Sequence, residues 1–185
     1  MWEHDLDGGL HLEPLRRAHA EEHLALVERD RAALSRYLGW AAADRMSTPA
    51  DARDFLSRGE EREADDGLPW VGIWLDGLLV GGVLWFPVEH PVMATSVGYW
   101  LDSGAGGRGV MTRSLQPLLD TVLDRCGMRR VGLGAEVGNT ASRRVAERLG
   151  FAFEGVKRSA WMVGDRVEDH AMYSLLPGDP RPWHG

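Results

Sequence analysis

One run constrains this chain more than any other: Gly98-Tyr-Trp-Leu-Asp-Ser-Gly-Ala-Gly-Gly-Arg-Gly-Val-Met-Thr112. Its entry, Val97-Gly98-Tyr99-Trp100-Leu101, is aromatic and β-prone and reads as a strand. Four glycines crowd the six positions from Gly104 to Gly109, a density that neither a strand nor a helix interior accommodates. Beyond them Val110, Met111, Leu115, Leu118, Leu119, Val122, Leu123 and Cys126 recur at i, i+3 and i+4, the spacing of an amphipathic helix. A strand therefore runs into a glycine loop that opens a helix. Backbone N–H groups at a helix start, helped by the helix dipole, attract anions, and glycine lets a ligand come close. The stretch reads as a phosphate-holding loop, with a loop that merely turns as the plain alternative.

Gly104-x-Gly106-x-x-Gly109 also matches the dinucleotide fingerprint. In a chain with 23 glycines that match means little, and a dinucleotide fold needs a long series of βαβ units from near the N-terminus. Here hairpin-like strands come first and a single βαβ unit follows. No Gly-Lys-Ser/Thr is present, so a nucleoside-triphosphate P-loop is excluded.

With 185 residues the chain is expected to form one domain with a full core. The formal net charge of −7 argues against nonspecific nucleic-acid binding and suits a cationic acceptor. The single Cys126 lies on the apolar helix face and is expected to be buried rather than nucleophilic. No Cys/His cluster has metal spacing, so no metal is expected. No run is long enough for a membrane span, and Met-Trp-Glu-His-Asp-Leu-Asp lacks the regions of a signal peptide. The expectation is a cytoplasmic protein, bound to neither membrane nor nucleic acid. Eight Trp exceed what core packing needs.

Taken in order, Leu10-His11-Leu12-Glu13 alternates as a short first strand that stops near Pro14. Residues Ala18 to Leu34 have helical spacing, with Leu24, Val27 and Leu34 inward, and Ser35 to Trp40 breaks the pattern. Thr48 caps a second helix that has Pro49 at its first position and runs into the acidic Glu60 to Asp66, read as a solvated end or exit loop. The period then becomes two: Pro69 to Leu75 and Leu78 to Phe86 are strands joined by Asp76-Gly77, a tight-hairpin signal. Pro117 should kink the helix after the glycine loop. Arg130 to Glu136 reads as a strand parallel to the Tyr99 strand. Asn139 caps a helix from Thr140 to Leu149, closed by Gly150. Phe151 to Met162 and Val167 to Leu175 are closing strands, and 177–185 reads as an extended, loose tail.

This order of elements resembles the GNAT acyltransferase superfamily, and the local residues look like its Rim-type branch, the N-terminal acetyltransferases of ribosomal proteins. Gly98 to Asp102 with Gly107-Arg108-Gly109-Val110-Met111-Thr112 resembles the family's acetyl-CoA loop. Asn139-Thr140-Ala141-Ser142 with Ala146 to Phe151 resembles its second motif, Leu38-Gly39-Trp40 its acceptor site, and Asp169 to Leu176 its last strand. The likeness implies an α/β (α+β) fold: a GNAT-like domain over 1–176, with a mixed, mostly antiparallel sheet, one splayed parallel pair and flanking helices. It implies acetyl-CoA as co-substrate and a primary amine as acceptor, most directly the α-amino group of a protein or peptide terminus. A small-molecule amine, such as an aminoacyl antibiotic in self-resistance, is the alternative, and a non-catalytic CoA-binding module the rival class. The resemblance also allows a homodimer. Three positions depart from the family: Gly106 stands where Gln or Arg is usual, Met111 where Ala or Gly is, and Trp161 where some relatives carry a Glu proposed as base.

By this resemblance Trp100, Leu101, Gly106, Gly107, Arg108, Gly109, Val110, Met111, Thr112, Asn139 and Ser142 bind the cofactor, its pyrophosphate on the amides from Gly106 to Thr112. Asn139 and Ser142 also have the plain reading of cap and third helical residue. Tyr37, Trp40, Glu89, Trp161 and Asp169 are the acceptor-side candidates, the aromatic three as a stacking slot, although Glu89 and neighbouring His90 suit a solvated loop equally. The remaining Trp belong to core or sheet surface. Direct attack on the thioester is expected, with strand N–H groups near Leu101 for the developing oxyanion and Ser142, with Tyr173 as runner-up, as proton donor. An α-amine has a reference pKa of about 7.7–8.0, so about a tenth is neutral at pH 7 and a strong base is dispensable. Asp169 or Glu89 is expected to relay the proton through water.

Overall fold

The hairpin predicted at Asp76-Gly77 forms as expected: both residues have positive φ (52° and 78°), the pairing of signs that matches the twist of the flanking strands. Around it the computed structural model, which describes residues 1–42 and 44–185, builds eight strands and four helices. They are β1 (His4–Leu6), β2 (Leu10–Pro14), α1 (Ala20–Leu34), α2 (Pro49–Asp66), β3 (Val71–Leu75), β4 (Leu78–Trp85), β5 (Ala94–Leu101), α3 (Val110–Asp120), β6 (Arg130–Glu136), α4 (Thr140–Arg148), β7 (Ala152–Val163) and β8 (Arg166–Leu175). The sequence reading missed β1, whose three residues are too short to show a period. The chain packs as two compact units, Met1–Trp85 with Tyr99–Val110, and Phe86–Gly98 with Met111–Gly185.

In the first unit β1 to β4 pair antiparallel in chain order. β3 is buried at all five positions, so its near-continuous apolar run reflects cover on both faces. Leu24, Val27, Phe55, Leu56, Trp70 and Trp100 form the centre of this unit's core. Gly82 belongs to that packing, because a Cβ there would stand 2.4 Å from the Trp100 ring. α2 begins as predicted: Thr48 Oγ1 accepts from the Asp51 amide (3.2 Å) and the Asp51 carboxylate accepts from the amides of Thr48 (2.8 Å) and Ser47 (3.0 Å). These bonds, the Ser47 amide foremost, hold the Asp51 carboxyl below its usual range. Of the two expectations for the acidic run Glu60 to Asp66, a solvated helix end or an exit loop, the helix end is the one that forms, and three of its carboxylates have partners: Arg16 on Glu63, Arg17 on Glu60 (2.7 Å) and Arg62 on Asp66 (3.0 Å).

In the second unit the strand order is β5-β6-β8-β7, with β5 and β6 parallel from Ala94↔Arg130 to Val97↔Leu133 and the other pairs antiparallel. β5 is continuous from one unit into the other. Its far end lies beside β4, where the Asp102 amide donates to Val80 O (2.7 Å), so the order reads β1-β2-β3-β4-β5-β6-β8-β7. The mixed, mostly antiparallel sheet with one parallel pair is the predicted one. α3 carries Pro117, and beyond it a wide turn spans Thr121–Arg125, in which the Cys126 amide reaches Thr121 O (3.0 Å). Cys126 is half-buried rather than buried, and desolvation raises its thiol pKa, which disfavours the thiolate a nucleophile needs.

The tail also corrects the reading. Arg181 pairs with Asp120 (2.7 Å) and bidentately with Asp124 (2.6 Å each), Trp183 Nε1 donates to Asp120 (3.0 Å), and Pro182–His184 forms a 3-10 turn. Its prolines made it look unanchored, but charge pairing across 57 to 64 positions holds it. No described helix is long and apolar enough to cross a membrane.

Candidate active site

The glycine loop begins where β5 ends. Asp102, 8% exposed, divides its carboxylate between the Gly104 amide (2.7 Å) and Arg29 Nε (2.5 Å). Arg29 is from α1 and also donates through Nη2 to Leu79 O on β4 (3.1 Å). Helical dihedrals break inside α1 at Asp30 (φ −129°, ψ 25°), whose carboxylate accepts from the Ser103 amide (2.7 Å) and Ser103 Oγ (2.8 Å). The Ala105 amide donates to Asp102 O (3.0 Å) and the Gly106 amide to Ser103 O (3.1 Å). Four successive amides, 103–106, are thus consumed within the unit.

The next three are not. Among the described residues the amides of Gly107, Arg108 and Gly109 have no acceptor. Gly107 and Gly109 both adopt left-handed φ (72° and 73°), and a Cβ on either would meet nothing within 4 Å, so backbone conformation and not packing requires glycine there. Val110 and Met111 are buried at the start of α3 and fix the helix under the loop. An exposed turn of unpaired amides at a helix N-terminus, with exposed Arg108 within it and both adjacent carboxylates already engaged, fits a phosphate group. The Gly106 amide, expected to join them, is spent in the turn. Trp100 also differs from expectation: its ring is buried against His23 (5.7 Å), Trp40 (5.2 Å) and Phe55 (6.2 Å), leaving only its backbone for a ligand. Leu101 is half-buried at the strand end and Thr112 at the helix start.

The acceptor-side candidates of this unit are only partly exposed. Trp40 packs on Phe55 (4.5 Å) and stacks on His23 (5.5 Å). Tyr37 is half-buried, with the Arg36 guanidinium 5.3 Å from its ring.

In the second unit Asn139 caps α4, its Oδ1 accepting from the Ser142 amide (3.1 Å), so the predicted cap is real and fixes the half-buried Ser142 on the first turn. Tyr173 is 1% exposed, lies against Phe153 (5.3 Å), and its hydroxyl accepts from Arg143 Nε (3.0 Å) and donates to Glu147 (3.4 Å). Asp169 is exposed and caps the Ser159 amide (2.8 Å) at the irregularity in β7. Glu89 is exposed in the turn before β5, its backbone paired with Ala94. Trp161 is 47% exposed, stacks on His170 (6.0 Å, 26°) and receives the edge of Phe86 (6.0 Å).

Sequence reasoning missed Glu136. It ends β6, sits opposite His170 in the ladder, and its Oε2 is buried with no partner among the described residues. Burial lowers the His170 pKa, partly offset by Glu136 and Glu168. The available signal was an acidic residue closing a strand three positions before a helix cap. Also missed were Arg29 and Asp30, which helical spacing does not distinguish from the other charges of α1. Among the described residues no three His, Cys, Asp or Glu side chains converge as a metal site would need.

Residues 10–152 match the family model described as Acetyltransferase (GNAT) domain. Probable N-acetyltransferase YjcK of Bacillus subtilis (strain 168) is 28% identical over 173 residues, covering 92% of this chain and 95% of that protein. The ribosomal-protein-serine acetyltransferase of Escherichia coli (strain K12) is 29% identical over 104 residues, 56% of this chain and 58% of its own. The solved RimL ribosomal L7/L12 alpha-N-protein acetyltransferase, in complex with coenzyme A, is 25% identical, covers 94% of this chain and 97% of its own, and superposes with a TM-score of 0.86. With a family match over 10–152, a phosphate-type loop before α3 and a capped Asn-Ser turn after β6, the chain belongs to the GNAT acetyltransferase family.

Proposed function

We propose that this chain transfers an acetyl group from acetyl-CoA to the α-amino group of a protein or peptide N-terminus. The observation that carries the reading is the preset run of unpaired amides at Gly107 to Gly109 in a chain of this family. The names of the relatives, a ribosomal-protein-serine acetyltransferase and a ribosomal L7/L12 alpha-N-protein acetyltransferase, support the acceptor class.

Gly107, Arg108 and Gly109, with the opening amides of α3 through Thr112, hold the pyrophosphate, and the backbone at Leu101 pairs with the pantetheine amides. Acetyl-CoA supplies an acyl group already activated as a thioester. Ser142 Oγ is the proton donor, its backbone fixed by the Asn139 cap. Tyr173 ranks behind it because its hydroxyl is tied to Arg143 and Glu147. Glu136 receives the amine proton, since its Oε2 has no partner among the described residues, whereas Asp169 is occupied by the Ser159 amide. An α-amine that is about one-tenth neutral at pH 7 asks only a weak base of it. Half-buried Cys126, its thiol pKa raised, offers no competing acyl-enzyme route.

Incubation of the purified chain with acetyl-CoA, a panel of peptides and a set of aminoacyl small molecules tests the reading, with tandem mass spectrometry locating the acetyl group. Acetylation confined to peptide α-amines is expected. Modification of the small molecules alone overturns the acceptor, and CoA binding without turnover on the whole panel overturns catalysis.

A further inference from the structure

The break in α1 has no explanation in the helix itself. Asp30 leaves helical dihedrals although no glycine or proline is near it, and both of its carboxylate oxygens are spent on Ser103 at the mouth of the glycine loop. Its neighbour Arg29 bridges two further points, Asp102 (2.5 Å) and Leu79 O on β4 (3.1 Å). We infer that Arg29 and Asp30 are positioning residues for the phosphate loop, anchoring Asp102 and Ser103 so that the amides of Gly107 to Gly109 are preset for an anion. This rests on the reading that the loop takes the pyrophosphate of acetyl-CoA.

The electrostatics follow from the same bonds. Two carboxylates beside an anion site would repel the ligand unless each were compensated. Asp102 is neutralised by Arg29 in a setting only 8% exposed, and its second oxygen takes the Gly104 amide. Asp30 is satisfied by two donors of one residue. The bonds consume the amides of 103–106 and leave the next three. Without the anchors an exposed glycine-rich loop samples many backbone states, and a ligand has to order it on binding.

Calorimetry with CoA, steady-state kinetics and amide hydrogen exchange on the full chain test the inference through Asp30→Ala, Asp30→Asn and Ser103→Ala. Asp30→Ala removes two charge-assisted bonds and is expected to weaken CoA binding about tenfold or more. The KM for acetyl-CoA should rise in step, kcat at saturation should stay within about twofold, and amides 103–106 should lose exchange protection. Asp30→Asn keeps one acceptor and should recover part of the affinity. Exposed Ser103→Ala loses only the Oγ bond and is expected to bind CoA about threefold more weakly, an arm that holds even if Asp30→Ala fails to fold. Unchanged CoA affinity in folded Asp30→Ala, or in Ser103→Ala should that variant not fold, overturns the positioning role. So does a parallel loss of kcat and acceptor affinity with no rescue by Asn, which would mark plain destabilisation. A wild-type chain that does not bind CoA at millimolar concentration sinks the ligand reading itself, before any variant is compared.

Discussion

Asn139 caps α4 through the Ser142 amide, and the donor role proposed for Ser142 rests on that placement. The cap bond to the Ser142 amide stabilises the start of α4, by about 1 kcal/mol for such a cap, and fixes where the Ser142 side chain begins. Replacing Ser142 by Ala leaves that bond intact, because its donor is backbone. Ser142→Ala should therefore lower kcat by roughly 10²-fold with little change in acetyl-CoA affinity. Activity retained in full would pass the donor role to Tyr173. His23 is the opposite case, a residue whose chemistry is confined to stability. It is 0% exposed, stacks on Phe55 (5.1 Å, 14°), and neither ring nitrogen has a partner among the described residues. Burial lowers its pKa to about 4, against an ordinary 6.5. A depressed histidine stays neutral when folded while the unfolded chain takes up a proton, so its stability contribution is complete above about pH 6.5 and is lost as pH falls toward 4. At pH 5 the loss is about 2 kcal/mol. His23→Phe should flatten that decline in urea midpoints measured between pH 7 and 5; equal declines in variant and wild type would show that other groups set the acid sensitivity.

At the level of elements, the glycine loop and the tail repay different kinds of substitution. Gly109 has φ 73° with open space around its Cβ position, so a side chain meets no neighbour but forces a backbone change costing about 1–3 kcal/mol. Gly109→Val should abolish CoA binding by calorimetry while circular dichroism stays native, because the loop can relax without disturbing buried Val110. CoA affinity within twofold of wild type would remove the loop from the cofactor reading. The tail is held by an Arg181 side chain 9% exposed, bonded to two carboxylates. Both Asp120 and Asp124 have lowered pKa values, the latter chiefly through its Arg181 bonds. Arg181→Ala leaves those carboxylates facing each other and should lower the melting temperature by roughly 3–8 °C. No change would show the pairing to be surface decoration.

For the whole molecule, the net charge of −7 is offset locally by pairs such as Arg16 and Arg17 on the acidic face of α2. What remains is a long-range field that favours cationic acceptors and is screened by salt. KM for a lysine-rich N-terminal peptide should rise several-fold between about 0.05 and 0.5 M salt with kcat steady, while an acidic peptide should show the reverse. Equal salt responses for both peptides would mean that net charge plays no part in acceptor choice.

What the sequence determined by itself was local. The glycine spacing, the Asp76-Gly77 turn, the Thr48-Pro49 and Asn139 caps and the switch from period 3.6 to period two each depend on φ/ψ preference or on neighbours a few positions apart, and each element formed where these signals put it. Pairing of β5 with β6 was legible too, because a crossover helix between two strands leaves few ways to close. Tertiary structure alone decided which polar groups would be spent and which left over. Nothing in helical spacing distinguishes Arg29 and Asp30 from the other charges of α1 until Asp102 and Ser103, 73 positions away, arrive to bond them. The Gly106 amide looked available until Ser103 O took it, the acidic end of α2 looked solvated until Arg16 and Arg17 reached it, and the tail looked loose until Asp120 and Asp124 met Arg181. Glu136 passed for a strand end until burial left Oε2 with no partner among the described residues. Propensity is written in consecutive residues, whereas hydrogen-bond satisfaction is settled between residues that only folding brings together.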